Sequence, residues 1–248
     1  MYTPGANKRA LEKGREVPTD ILIMDLEDGV APDAKASARV NILQVLGEGG
    51  YGSREIGVRI NAMGSEWHEE DVAAVATSGA NMIVVPKVDT AETVIKIAMH
   101  LERSEAPEDM QIWCMIETAR GVINVNTIAA AHSRVGALLI GSADLTKDLK
   151  AQHVPDRLPL MTSIQLCILA ARANHLTILT AHFLTFLMMR AFWGPVGRDG
   201  QWGLMERPCC TRKRSLVRMP FSVLLEKKST GLTKLLRRIR PPWLKAEV

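Results

Sequence analysis

Residues 21–39, ILIMDLEDGVAPDAKASAR, decide the fold of this 248-residue chain. The stretch opens with a continuous apolar run, which is typical of a parallel β-strand covered on both faces. Acidic side chains cluster where the run ends, namely Asp25, Glu27 and Asp28. An apolar strand that ends in carboxylates predicts a parallel sheet with a polar site at the carboxyl ends of its strands.

Similar apolar runs recur through the first 179 residues, and a helix-like pattern follows most of them. Their starts are mostly separated by about 25–40 residues, the length of a strand–helix unit. The runs are MYTP (1–4, a stub), ILIMDL (21–26), IGVRIN (56–61), MIVVPK (82–87), QIWCMIE (111–117), ALLIGS (137–142) and LTIL (176–179). We therefore predict an α/β fold, a TIM (β/α)8 barrel that is one strand short.

Polar residues follow the later strands in the same way. Arg59 and Asn61 close the third strand, Lys87 the fourth and Glu117 the fifth, and Asp144 follows the sixth. Because all these ends lie on one face of a parallel barrel, we expect the side chains to lie together. Two carboxylates from consecutive strands suit Mg²⁺, and an arginine beside them could bind a carboxylate through two N–H groups. Taken singly, each acidic residue could instead be a helix cap or a salt-bridge partner.

The composition narrows the class of protein. Apolar residues make up 47% of the chain, yet no run approaches the roughly 20 residues of a membrane span. The N-terminus lacks the apolar segment of a secretory signal, and the four cysteines show no zinc-ligand spacing. We therefore expect a cytoplasmic protein with reduced thiols and no membrane contact.

Two motifs are specific enough to suggest a family. DLEDGVAPDAK (25–35) follows the second strand, and IETARGV (116–122) is followed by GSADL (141–145). Together with further stretches in order along residues 1–179, they resemble the citrate lyase β-subunit-like family, the CoA-ester lyase branch of the HpcH/HpaI aldolase superfamily. The resemblance implies a TIM barrel, Mg²⁺ as the cofactor and a homo-oligomer, either a trimer or a hexamer.

The resemblance also implies an activity and a set of site residues. Members of this family cleave or form a C–C bond in a β-hydroxyacyl-CoA, such as citryl-, malyl- or citramalyl-CoA, so the partners would be an acyl-CoA ester and a 2-oxo acid. Glu117 and Asp144 would be metal ligands, and Arg59 and Glu117 would be catalytic and substrate-binding residues. Tyr2 and Lys13 would lie near the CoA portion of the substrate.

Residues 180–248, here called the basic tail, differ in character from the preceding chain. They carry 14 Lys and Arg against 4 Asp and Glu, whereas the first 179 residues carry 17 against 23. A coding sequence that gives WGLMERPCCTR (202–212) in one frame gives MGLDGKTLLHP in another, which resembles the eighth strand of the family. We infer a one-base slip near Leu179 and Thr180, so that residues 1–179 form a partial barrel and the basic tail is out of frame.

Three functional hypotheses follow. The leading one is a Mg²⁺-dependent CoA-ester lyase that is poorly stable or inactive as written, because a barrel without its eighth strand has open edges. The alternative within enzymes is a malyl-CoA thioesterase or a malate-synthase-like relative, since the same metal site would serve each. The alternative from another class is a non-catalytic protein whose basic tail binds nucleic acid. We do not expect nucleic-acid binding, because the charge of the tail follows from the altered frame.

Overall fold

The computed structural model describes residues 1–154 and 157–181, in which strands and helices alternate. The strands are β1 (Tyr2–Pro4), β2 (Ile21–Asp25), β3 (Glu55–Arg59), β4 (Met82–Val85), β5 (Gln111–Ile116), β6 (Val135–Gly141) and β7 (Thr177–Ala181). The helices are α1 (Lys8–Lys13), α2 (Lys35–Glu48), α3 (His68–Ala76), α4 (Ala91–Arg103), α5 (Ala119–Ile123), α6 (Val125–Ala129), α7 (Ser142–Asp148) and α8 (Met161–Ala173). Apart from Thr180 and Ala181, the basic tail lies outside the described residues.

The seven strands form one curled parallel sheet whose spatial order follows the sequence from β1 to β7. No eighth strand is present in residues 1–154 and 157–181, so this part of the chain is an incomplete TIM barrel. The predicted fold class is therefore confirmed, including the N-terminal stub as β1. In the same part of the chain, no helix has the length and apolar character needed to cross a membrane.

The strand ends differ slightly from the prediction. β3 ends at Arg59 and β4 at Val85, each two residues earlier than predicted. The chain leaves β4 at Pro86, which cannot donate a hydrogen bond, and Lys87 then adopts a left-handed backbone with φ of 50°. β7 extends to Ala181, two residues beyond the predicted run.

The two faces of the sheet pack into two separate apolar clusters. In β2, for example, Leu22 and Met24 belong to the large cluster that includes buried side chains of the surrounding helices, whereas Ile23 belongs to the smaller one. The inner cluster, which fills the curl of the sheet, consists of Ile23, Met82, Val84, Trp113, Met115, Ala137 and Leu139. Alternating side chains thus cover both faces, which explains why the strands are continuously apolar in sequence.

Candidate active site and metal-binding carboxylates

Polar side chains cap the inner cluster at the carboxyl ends of the strands. Asp25 and Glu117 lie two positions beyond Ile23 and Met115 of the inner cluster, and Arg59 lies two positions beyond Gly57, where a Cβ would meet Met82 and Val84. The period of two in a β-strand therefore puts all three on the same face. All three are buried, with relative exposures of 4%, 5% and 1%. These residues, with Glu27 and Lys87 that contact them, are called the polar layer below.

Asp25 and Arg59 form a two-point ion pair across β2 and β3. The two residues are directly opposite in the register of the strands. Nε of Arg59 donates to Oδ1 of Asp25 at 2.7 Å, and Nη2 donates to Oδ2 at 2.8 Å. Burial by itself would lower the pKa of Arg59, but the hydrogen bond with Asp25 and the nearby carboxylate charges raise it above its ordinary value. Asp25 therefore fixes a permanently charged guanidinium and takes two of its five N–H groups.

Glu27 connects Arg59 with Lys87. Its Oε1 accepts a hydrogen bond from Nζ of Lys87 at 2.7 Å, and its Oε2 lies 3.0 Å from Nη1 of Arg59. Burial raises the pKa of Glu27 above its ordinary value, although both cations oppose the shift. Asp28, by contrast, has a side chain that is 59% exposed and lies 3.9 Å from Arg59. Asp25 and Glu27 thus form ion pairs with the two cations of the polar layer, Arg59 and Lys87.

The loop after β2 is held in place by groups of its own motif. Asp25 accepts the backbone N–H groups of Glu27 and Gly29, each at 2.9 Å. Lys35, which is buried at the start of α2, donates to the carbonyl oxygens of Leu26 and Glu27 at 2.7 Å each. The last residue of DLEDGVAPDAK therefore closes the loop onto its beginning and orients the carboxylates.

Glu117 occupies a confined position between β4 and β6. Its Oε1 accepts the backbone N–H of Lys87 at 2.8 Å. A Cβ at Gly141 would lie 2.3 Å from Oε2 of Glu117, so only glycine leaves room for this carboxylate. Burial, and then the charges of Glu27 and Asp144, raise the pKa of Glu117 to about 7. A buried carboxylate near other carboxylates is a position that a cation would stabilise.

The residues present fit a magnesium ion. Asp144 lies in the first turn of α7 and is close enough to Glu117 to raise its pKa. In the described part of the chain, no three side chains of His, Cys, Asp or Glu converge into a metal cluster. Mg²⁺ needs no such cluster, because it keeps several waters and takes one or two protein carboxylates. Asp25 and Glu27 already form ion pairs with Arg59 and Lys87. The negative charges of Glu117 and Asp144 are therefore the ones that a divalent ion would balance.

The structure separates the two residues predicted to lie near CoA. The ring of Tyr2 lies 5.2 Å from Cζ of Arg59, and its hydroxyl lies 3.9 Å from Sδ of Met115. Burial raises the pKa of Tyr2 above its ordinary value. Lys13 is exposed in the last turn of α1 and has no hydrogen bond or ion pair with the described residues of the polar layer. Tyr2 is therefore a neighbour of Arg59, and the assignment of both residues to CoA binding stays a prediction.

Some residues have roles that the sequence did not reveal. Asn61 was expected to lie in the site beside Arg59, but it has a structural role instead. Its backbone N–H and its side-chain amide donate to Oδ2 of the buried Asp71 at 2.9 and 2.7 Å. Lys35 and Gly141 were not singled out. Lys35 could have been recognised by its place at the end of an acidic loop. Gly141 could have been recognised by its place at the end of an apolar strand.

Gly141→Ala is expected to lower the free energy of unfolding by about 1–3 kcal/mol, the usual effect of overpacking. The added Cβ would lie 2.3 Å from Oε2 and 2.7 Å from Cβ of Glu117. The backbone of Gly141 has an ordinary φ of −82°, so the effect is steric. Urea unfolding measures it. Gly47→Ala in α2, where a Cβ meets nothing within 4 Å, is the matched control and should be mildly stabilising. If Gly141→Ala and Gly47→Ala change the free energy of unfolding equally, Glu117 is not confined as described.

The curled sheet and the charged groups at its carboxyl ends define an α/β protein of the TIM-barrel type with a candidate active site on that face. The chain belongs to the HpcH/HpaI aldolase/citrate lyase family, whose family model matches residues 1–203. The resemblance predicted from the motifs is therefore confirmed, and the matched range continues beyond Leu179.

Curated relatives include a thioesterase and a lyase subunit. The chain is 42% identical over 186 residues to a (3S)-malyl-CoA thioesterase of Cereibacter sphaeroides (strain ATCC 17025 / ATH 2.4.3), which covers 75% of this chain and 63% of the relative. It is 32% identical over 178 residues to the citrate lyase subunit beta of Escherichia coli (strain K12), covering 70% of this chain and 59% of the relative. The chain thus spans less than two thirds of the length of either relative.

Solved structures of similar fold contain magnesium. One is CitE from Mycobacterium tuberculosis in complex with magnesium and acetoacetate, with a TM-score of 0.62, 26% identity, and coverage of 75% of this chain and 73% of that chain. Another structure of CitE holds magnesium, acetoacetate and coenzyme A, with a TM-score of 0.61 and 27% identity over 75% of this chain and 66% of that chain. Mg²⁺ is therefore a ligand of similar proteins.

Proposed function

We propose that this chain carries the site of a Mg²⁺-dependent CoA-ester lyase, which cleaves or forms a C–C bond in a β-hydroxyacyl-CoA. The observation that carries the proposal is the buried carboxylate of Glu117, whose pKa is raised by the charge of Asp144 and which shares the polar layer with the fixed guanidinium of Arg59. Glu117 and Asp144 would hold the metal. All these residues precede the inferred slip at Leu179. That the chain as written is impaired, oligomeric and cytoplasmic stays a prediction.

Arg59 is the residue that would bind the 2-oxo acid. Asp25 takes two of its N–H groups and Glu27 lies 3.0 Å from Nη1, so the remaining N–H groups are the ones that can donate to a carboxylate or to the oxygen on which charge develops. Asp25 and Glu27 keep the guanidinium oriented before the substrate arrives, so little reorganisation is needed. When bound, Mg²⁺ supplies a Lewis acid for the same oxygen.

Hydrolysis of the malyl-CoA thioester is the second candidate reaction. The observation that favours it is the similarity to curated relatives, which is 42% for a malyl-CoA thioesterase and 32% for a citrate lyase subunit beta. Both reactions would use the same polar layer, so its geometry supports them equally.

The products distinguish the two reactions. The chain is incubated with malyl-CoA and, separately, citramalyl-CoA, with Mg²⁺ or with EDTA. A lyase releases a 2-oxo acid and acetyl-CoA without a free thiol, whereas a thioesterase releases the thiol of CoA and no 2-oxo acid. A phenylhydrazine assay and a thiol reagent detect the two products. Mg²⁺-dependent formation of the 2-oxo acid supports the proposal; thiol release alone supports the second candidate, and neither product would reject both for this chain.

Mg²⁺ binding is expected to weaken as the pH falls below 7. The pKa of Glu117 is raised to about 7 in the metal-free protein, so below that pH its carboxyl group is protonated and the metal must displace the proton. The association constant should rise about tenfold per pH unit up to pH 7 and then level off. Isothermal titration calorimetry between pH 5.5 and 8.5 measures this profile. A constant affinity across that range would argue against Glu117 as a ligand.

A further inference from the structure

Lys87 has an unusual backbone at the entrance to the polar layer. Its φ is 50°, which places a residue with a long side chain in the left-handed region. Residues other than glycine adopt this region at an energetic cost and keep it where the surrounding contacts demand it, often at functional sites. In this conformation Lys87 makes two contacts within the polar layer.

Two parts of Lys87 contact two different carboxylates. The backbone N–H donates to Oε1 of Glu117 at 2.8 Å, and Nζ donates to Oε1 of Glu27 at 2.7 Å. The carboxylates are themselves almost inaccessible, whereas the side chain of Lys87 is 42% exposed. The lysine thus reaches from the surface into the polar layer and joins the metal-binding half of the site to the half that orients Arg59.

We propose that Lys87 is the positioning residue of this site, in which its left-handed backbone fixes Glu117 and its ammonium group fixes Glu27 beside Arg59. The proposal rests on the proposed function for the identity of the ligands, Mg²⁺ and a 2-oxo acid. It assigns separate tasks to the backbone and the side chain of one residue, and these tasks can be separated by substitution.

Lys87→Met removes the ammonium group and keeps the side-chain length and the backbone N–H. Because Glu27 then loses one of its two cationic partners, its carboxylate is held less firmly beside Arg59. We expect the affinity for pyruvate at saturating Mg²⁺ to fall about tenfold, and the affinity for Mg²⁺ alone to change by less than about threefold. Isothermal titration calorimetry with MgCl₂, and then with pyruvate, measures both values.

Lys87→Val removes the ammonium group and also disfavours the left-handed region, which a β-branched residue adopts only at a high energetic cost. Glu117 then loses a fixed donor, so the affinity for Mg²⁺ should fall about tenfold as well. Lys87→Arg retains a cation that reaches Glu27 and should keep both affinities within about threefold of the unaltered protein. A role in loop stability alone would lower the midpoint of unfolding in the Met and Val variants without this ligand-specific pattern.

Lys150 provides a matched control, because it is exposed and has nearly the same backbone, with φ of 51°. Lys150→Met and Lys150→Val should leave both affinities unchanged. The proposal is overturned if Lys87→Met binds pyruvate as the unaltered protein does, or if the Met and Val variants of Lys87 have the same affinity for Mg²⁺.

A double-mutant cycle tests the contact between Lys87 and Glu27 without any ligand. Lys87→Met should lower the folding equilibrium constant about tenfold in the unaltered protein and have little effect in a Glu27→Gln background. If the unaltered chain binds no Mg²⁺, the proposed function fails, yet this cycle still decides whether Lys87 holds Glu27. Additive effects of the two substitutions would overturn the positioning role.

Discussion

Glu117→Gln is expected to weaken Mg²⁺ binding by at least about 100-fold, since it removes one of the two proposed carboxylate ligands. The metal-free protein should not lose stability. Glutamine has nearly the same shape, and the carboxylate it replaces is buried near like charges that raise its pKa to about 7. Loss of metal binding without loss of stability is typical of a binding site rather than of a structural contact. Isothermal titration calorimetry and urea unfolding give the two values.

Glu108→Gln is the matched control for this prediction. Glu108 is exposed and precedes β5, whereas Glu117 follows the other end of the same strand. The control should leave Mg²⁺ affinity and stability unchanged. If Glu117→Gln also leaves the affinity unchanged, Glu117 is not a ligand and the proposed metal site is wrong.

Arg59→Met is expected to lower the free energy of unfolding by about 3–5 kcal/mol, the usual effect of removing one partner of a buried ion pair. The substitution leaves the carboxylates of Asp25 and Glu27 buried without the guanidinium that lies within 3.0 Å of both. Their pKa values should then rise, because the hydrogen bond and charge of Arg59 oppose the effect of burial at Asp25 and its charge does so at Glu27. Urea unfolding at pH 7 measures the loss.

Two controls identify the cause of this loss. Arg15→Met breaks an ion pair of similar length with Glu48, but both partners are partly exposed, so the loss should be far smaller. Adding Asp25→Asn and Glu27→Gln to Arg59→Met removes the stranded charges and should recover part of the stability. If Arg59→Met lowers the free energy of unfolding no more than Arg15→Met does, the buried Asp25–Arg59 pair does not stabilise the fold as described.

The positions of several site residues followed from simple sequence arguments. Asp25, Arg59 and Glu117 each follow an apolar run, and the ends of parallel strands lie on one face of a barrel. Asp144 follows β6, as its place in the sequence predicted, and the structure adds that it lies in the first turn of α7. The sequence does not specify which partner each group takes, because several carboxylates are available to each cation.

The sequence by itself determined the parallel α/β architecture, the order of its strands and the family, because periodicity and motifs are local properties of the chain. Only the tertiary structure showed that Arg59 pairs with Asp25, 34 residues away, and that Lys87 pairs with Glu27, 60 residues away. These pairs depend on strand register and on the curl of the sheet, which bring distant residues within hydrogen-bond distance. The room that Gly141 leaves for Glu117 depends on the same register, since a clash between neighbouring strands is not visible in either strand alone.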